Sequence, residues 1–205
     1  MKKKNLASFA LTGFAVVLSA SLALASGKIP AGNYEIDAAH SKVGFEVAHL
    51  VISSVEGRFN TFSGTVAVDE KTGNPTFTAT IDPASIDTGI SKRDEHLKGA
   101  DFFDVEKNKT MSFTSKKVTL AGQDITIKGD LLMHGVTKEV TLKGKYLGAV
   151  KDGYGNDKIA FQASTKVKRK DFGLTWNKMI EVGPTVGDEV KITLKLEANK
   201  IVAKK

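Results

Sequence analysis

The chain contains no cysteine. That absence excludes disulfides, thiolate centres for zinc or iron–sulfur clusters, and the acylated cysteine through which a bacterial lipoprotein is anchored. After residue 24 no uncharged apolar run approaches the roughly 18 residues of a spanning helix. There is no domain linker, internal repeat or low-complexity tract. The four histidines His40, His49, His96 and His134 follow no HExxH or other metal-ligand spacing. Nucleophile elbow, paired-acid constellation and phosphate-cradling loop are all missing as well. Residue types alone leave open a hydrolase built on Ser41 or Ser85 with His40 or His96, but no motif supports it, so the expectation is a protein without catalytic activity and without a cofactor.

What is present begins with a leader. Lys2, Lys3 and Lys4 precede an uncharged, mostly apolar stretch from Leu6 to Leu24 that closes on Ala23-Leu24-Ala25. A basic segment, an apolar segment and small residues at the last and third-last positions form a secretory signal peptide. Residues 1–25 are therefore expected to be removed, leaving residues 26–205 as one soluble, exported domain in the periplasm. Taking the three leader lysines from the formal charge of +7 leaves +4, dispersed among acids at Lys92-Arg93-Asp94-Glu95 and Lys166 to Asp171. With three tyrosines and one tryptophan, this composition argues against nucleic acid as a partner. A solvated face is the plainer reading of the charge, with transient attraction to an anionic membrane surface beside it.

Period-two alternation dominates the remainder of the chain, which makes it an all-β protein. Val43, Phe45, Val47, His49 and Val51 share one face. Phe77, Ala79 and Ile81 alternate with threonines; Ile125, Ile127, Gly129, Leu131 and Met133 oppose Thr126, Lys128 and Asp130. Val140, Leu142, Gly144 and Tyr146 follow, then Ile159, Phe161, Ala163, Thr165 and Val167, then Val190, Ile192, Leu194 and Leu196. Only one face of each strand is apolar, so antiparallel pairing with water outside is expected. Turn signals at Lys71–Pro75, Ala121–Gln123, His134-Gly135, Lys151–Asp157 and Val182–Pro184 join neighbours as hairpins. The pattern gives eight or nine strands, including short ones near Tyr34 and Gly64. One or two short helices are expected around residues 85–107, where Leu97, Phe102 and Phe103 stand among charged residues.

About eight such strands can close into an up-and-down barrel that either packs solid or holds one ligand. Small inward residues (Ala79, Gly129, Gly144, Ala163) hint at room inside, although glycine in a strand also marks bulges.

Ordered motifs across nearly the whole chain resemble the YceI family. They include Asp37-Ala38-Ala39-His40-Ser41-Lys42-Val43-Gly44-Phe45, His49-Leu50, Gly57-Arg58-Phe59, Ile81-Asp82-Pro83-Ala84-Ser85-Ile86-Asp87-Thr88-Gly89 and Arg93-Asp94-Glu95-His96-Leu97. Asp101-Phe102-Phe103-Asp104-Val105, Gly129-Asp130-Leu131, His134-Gly135-Val136-Thr137-Lys138, Arg169-Lys170-Asp171-Phe172-Gly173-Leu174 and Val186-Gly187-Asp188-Glu189-Val190 continue the match. Asn108-Lys109-Thr110 departs from it by lacking a proline. The resemblance implies an eight-stranded antiparallel lipocalin-like barrel, an elongated apolar cavity, and an amphiphilic ligand with a polyisoprenoid tail such as a prenyl quinone or prenyl phosphate.

On these grounds the expected ligand-binding residues are Phe45, Val47, His49, Phe77, Ile81, Ile127, Leu131, Leu142, Phe161, Ala163, Phe172, Trp176, Ile192 and Leu194. His49 interrupts an apolar stripe, where an unpaired imidazole is costly. Arg58 and Arg169 are candidate head-group contacts, with Arg93 behind them; salt bridges to Asp94, Asp101 or Asp171 are the plainer role of these arginines. A fatty acid or fatty amide in the same tube, a solid-core barrel that binds a protein partner, and a homodimer are the alternatives.

Overall fold

The computed structural model describes residues 28–202; the expected signal peptide, residues 1–25, lies outside the described residues. Strands β1 (Gly32–Ile36) and β2 (Lys42–His49) run in one direction, and β3 (Ser53–Phe59) and β4 (Phe62–Val68) return against them. They are followed by β5 (Pro75–Ile81) and β6 (Ile86–Asp87), then by helix α1 (Ser91–Lys98). The long strands β7 (Met111–Ala121), β8 (Asp124–Met133), β9 (Val136–Lys151) and β10 (Asp157–Lys168) come next. A small hairpin, β11 (Met179–Ile180) with β12 (Gly183–Pro184), precedes the last strand, β13 (Val186–Lys200).

Eleven of the thirteen segments make eight staves, β11 and β12 standing apart as their own hairpin. β1 and β2 lie end to end along one edge of β13, with Tyr34 opposite Lys200 and Val43 opposite Leu194. β4 and β3 pair with them in turn, and β5 and β6 pair with β4 and β3. From there β5–β7–β8–β9–β10–β13 continue as sequential antiparallel neighbours. Since β13 pairs with β10 on one side and β1/β2 on the other, the sheet closes as an eight-stranded up-and-down barrel and leaves no free edge.

The first three staves each break at mid-height. Asp37 accepts the Ala39 amide and starts the 3-10 turn Ala38–His40, Asn60 and Thr61 interrupt the second stave, and Asp82 starts the 3-10 turn Pro83–Ser85. An aspartate side chain at these positions captures a backbone N–H that a continuous strand would have paired.

Turn chemistry follows the residues. His134 and Gly135, with φ of 50° and 73°, form the two-residue left-handed turn between β8 and β9. Asp69 and Asp152 accept the amides of Thr72 and Tyr154 to close the longer hairpins after β4 and β9. The outer face carries cross-strand ion pairs such as Lys116–Asp130 at 2.6 Å and Lys166–Glu189 at 2.7 Å.

Two apolar layers line the interior. The lower contains Ile29, Tyr34, Val66, Phe77, Ile125, Tyr146, Ile159 and Phe161 and plugs that end, with the Tyr34 hydroxyl donating to Pro30 O at 3.0 Å. The upper contains Phe59, Ile81, Ile86, Met111, Met133, Val167, Phe172 and Leu174. Val51 does not extend the β2 stripe as its parity suggests. Leu50 and Val51 turn left-handed (φ 54° and 69°), and Val51 is 57% exposed in the β2–β3 turn.

Of the small inward residues, Gly144 serves close approach. A Cβ there would strike the carbonyl oxygen of Gln162 on β10, so its smallness brings two backbones together. Gly129 is likewise covered, by the ring of Phe113. Ala79 and Ala163 do border open space.

Candidate ligand cavity

The space inside the barrel runs from the lower layer to the upper end and has a volume of about 200 Å³. An isolated water needs only about 10–15 Å³, so this is a cavity and not a packing defect. Alternation places its walls. Most inward positions of β2, β5, β8, β9, β10 and β13 contribute an aliphatic or aromatic group, with Gly129, Gly144 and Thr165 among the exceptions, while the outward positions are mostly Thr, Lys and Glu. Thr78, Thr165 and Arg169 are the polar residues along a wall whose exposed surface is almost wholly apolar.

Of the residues expected from sequence, Phe45, Val47, Phe77, Ile81, Ile127, Leu131, Leu142, Phe161, Ala163, Ile192 and Leu194 line this cavity together. Three do not. His49 closes β2 opposite Val186, half-buried at the rim beside the turn. Phe172 is 1% exposed and packs into the upper layer behind the wall. Trp176 lies across the upper end, its ring 5.1 Å from those of Phe102 and His96. That cluster ties the loop after α1 to the segment between β10 and β13.

The arginines separate sharply. Arg58 alternates with Phe59 and so points outward; it bonds Asp87 through Nε and Nη2 at 3.2 and 3.0 Å, which removes it from the cavity. Arg93 donates to the Thr88 hydroxyl and carbonyl at 2.7 and 2.8 Å and fixes the loop before α1. Arg169 reaches the cavity wall and is 3% exposed. Its guanidinium donates to four carbonyls, those of Gly187 (2.8 Å), Leu174, Trp176 (2.8 Å) and Val186 (3.4 Å). Among the described residues no carboxylate bonds it, and the expected Asp171 bridge is not formed; the charge of Asp188 favours it through space. Burial pushes its pKa down from the ordinary 12.5. A buried cation held by neutral dipoles keeps a positive potential at the upper end of an otherwise apolar space.

Sequence reasoning missed Phe59, Phe62, Phe103, Met111, Phe113 and Leu97, which also line the wall. Phe113 sits over Gly129, and Phe103 meets Phe59 edge-on at 5.8 Å.

The histidines have local roles. His134 Nδ1 bonds Phe172 O at 3.0 Å and His96 pairs with Asp101 at 2.9 Å, both away from the cavity. Asp37, His40 and Glu197 meet on the outer surface, where their ligand-type atoms lie within 4.8 Å of one another. The Lys158 ammonium already sits among them, 2.7 Å from Glu197 and 3.4 Å from Asp37, and supplies the cation that those acids need. The hydrogen bond from His40, aided by Asn199 and Lys158 against the opposing effect of burial, holds the Asp37 carboxyl down at about 2.

The same assembly of motifs, barrel and cavity recurs in known proteins. Residues 34–198 match the YceI-like domain. Protein YceI of Salmonella newport is 38% identical over 200 residues, covering 95% of this chain and 97% of its own. The Campylobacter jejuni YCEI protein superposes with a TM-score of 0.66 at 33% identity, covering 81% of this chain and 96% of its own. A polyisoprenoid binding domain from Saccharophagus degradans, 17% identical, shares the fold with a TM-score of 0.63 over 82% of this chain and 98% of its own. With its motifs in family order and the matching domain spanning the whole barrel, the chain belongs to the YceI-like family.

Proposed function

We propose that this protein is exported to the periplasm and there binds a long-chain isoprenoid lipid, without catalysing a reaction, with the tail inside the barrel and the head group at its upper end. The cavity carries the reading: a barrel of this size ordinarily packs solid or encloses one ligand, and this one leaves about 200 Å³ between aromatic and aliphatic walls. Such walls offer a branched apolar tail dispersion contacts and shape and give a polar substrate nothing to bond. Arg169, its guanidinium held by four backbone carbonyls, acts on the head group through its charge, which favours a phosphate or a quinone carbonyl at the upper end. Support of a separate kind comes from the polyisoprenoid binding domain that has the same fold.

Each CH₂ removed from water gains about 0.8 kcal/mol, yet a bilayer repays the same amount. Exchange with a membrane is therefore close to balance, and selectivity rests on shape and head group. Organic extraction of protein purified from its own cells, with mass spectrometry of the extract, tests the proposal. A stoichiometric isoprenoid is expected; a fatty acid or fatty amide would replace the isoprenoid assignment, and lipid-free protein that takes up none of these would overturn lipid binding altogether.

A further inference from the structure

The upper end of the barrel carries apolar side chains that the fold does not bury. In the β2–β3 turn Val51 is 57% and Ile52 is 87% exposed; in the β11–β12 hairpin Met179, Ile180 and Val182 are 70%, 37% and 65% exposed. The two tips form one ridge. Leu50 N donates to Thr185 O at 2.9 Å, and a Cβ on Gly183 would stand 3.2 Å from Val51 Cγ2. A left-handed Val51 is an uncommon conformation for a β-branched residue, and it turns the tip out where a plain hairpin would fold its apolar residues back.

The ridge is continuous with the cavity. Val47 and Val186 line the wall, and each lies within a few residues of a tip along β2 and β13. The charged residues of the small hairpin are Lys178 and Glu181, one of each sign, so the ridge has no net charge of its own.

We propose that this ridge inserts into the interfacial zone of a phospholipid bilayer and sets the barrel mouth against it, so that a lipid tail passes from membrane to cavity without crossing water. The proposal rests on the lipid-binding reading for its purpose, but the surface stands on its own exposure. A bilayer is the occupant that fits: the ridge is narrow, apolar and neutral, and it adjoins Val47 and Val186 of the apolar cavity wall. The neutrality also sets aside electrostatic attraction to anionic lipid as the main attachment.

The test compares wild type with the double variant Ile52→Asp/Val182→Asp. Both positions are solvent-exposed, and circular dichroism checks the fold. Flotation with vesicles of phosphatidylcholine alone, and with added phosphatidylglycerol, measures attachment. Uptake of farnesol presented in solution, followed by Trp176 emission, measures the cavity separately. Wild type should float with phosphatidylcholine, and the variant's partition should fall by at least about tenfold while farnesol uptake stays unchanged. Equal flotation of the two proteins overturns the proposal. So does binding that needs phosphatidylglycerol and vanishes with salt, or a wild-type dimer that the variant splits without either protein binding vesicles. If wild type floats and the variant does not, but neither takes farnesol, docking stands and the lipid-carrying function falls.

Discussion

Substituting Ala163 by tryptophan distinguishes an occupied tube from a solid core. Ala163 lines the cavity on β10 and faces Gly144 on β9 and Leu194 on β13, so its inward direction has little side chain opposite on one flank. In a core packed to normal density the added indole forces side chains and backbone apart at a cost of about 1–3 kcal/mol or more. Here it has about 200 Å³ of apolar space to enter. Burying roughly 150 Å² of aromatic surface gains about 4 kcal/mol in gross terms. Against this stand about 1 kcal/mol of lost rotamer freedom and about 1–3 kcal/mol for an indole N–H with no partner. The net change in lipid-free protein therefore lies between no change and a gain of about 2 kcal/mol, while a tail of the size proposed no longer fits. Urea unfolding of delipidated wild type and variant gives the first quantity, and isoprenoid content after refilling gives the second. Destabilisation beyond about 3 kcal/mol, with no isoprenoid taken up by either protein, refutes the reasoning and leaves a solid-core barrel.

Three further outcomes are expected. Arg169→Met strips the donors from the carbonyls of Leu174, Trp176 and Gly187; stability should fall by at least about 3 kcal/mol, and emission of Trp176 should shift as the segment beneath it loosens. Asp37 has a folded-state pKa of about 2 against an ordinary 3.8, so its contribution is full above about pH 4 and drains as pH falls towards 2. Wild type should then lose about 1 kcal/mol more than His40→Ala across that window, since Asn199 and Lys158 share the shift and solvent screens the exposed imidazole, measured by urea unfolding at each pH; parallel curves would show that His40 does not hold the carboxylate. Export should leave Ser26 as the first residue, read by intact mass of periplasmic protein, and a full-length chain retained in the inner membrane would contradict the leader reading.

Legibility in the sequence followed the regularity of the strands. β8, β10 and β13 alternate without a break over their inward apolar positions, and both their existence and their cavity-facing residues can be read directly. β7 is harder, because a bulge between Ser115 and Lys117 moves the inward positions from Met111 and Phe113 to Val118 and Leu120. A single period-two template cannot span that shift. β3 hides for another reason: its inward position at Gly57 has no side chain, and the ring of Phe45 from β2 covers the gap. Trp176 and Phe172 fall in non-repeating chain, where residue type says core or wall but not which. Arg169 could not be resolved from spacing at all. Its four acceptors are carbonyls brought in by the chain between Leu174 and Gly187, and a backbone carbonyl leaves no mark on the sequence.

Every ladder of the barrel but one joins staves that are consecutive along the chain. The exception is the seam of β13 with β1 and β2, where the Ser41 hydroxyl meets Glu197 across 156 residues. During folding the other ladders can form one hairpin at a time, as each new strand meets its predecessor, but the seam must wait for the C-terminal strand. Until then the nascent sheet has two bare edges, β1/β2 and β10, each a template for another chain. Long-range closure of this kind is slow relative to hairpin formation, so the assembly's exposure to aggregation is concentrated in a single late event. A chain cut before Val186 would keep both edges bare permanently. The last fifteen-residue strand thus guards solubility by covering both edges at once, a protection that a stop codon ahead of it would remove.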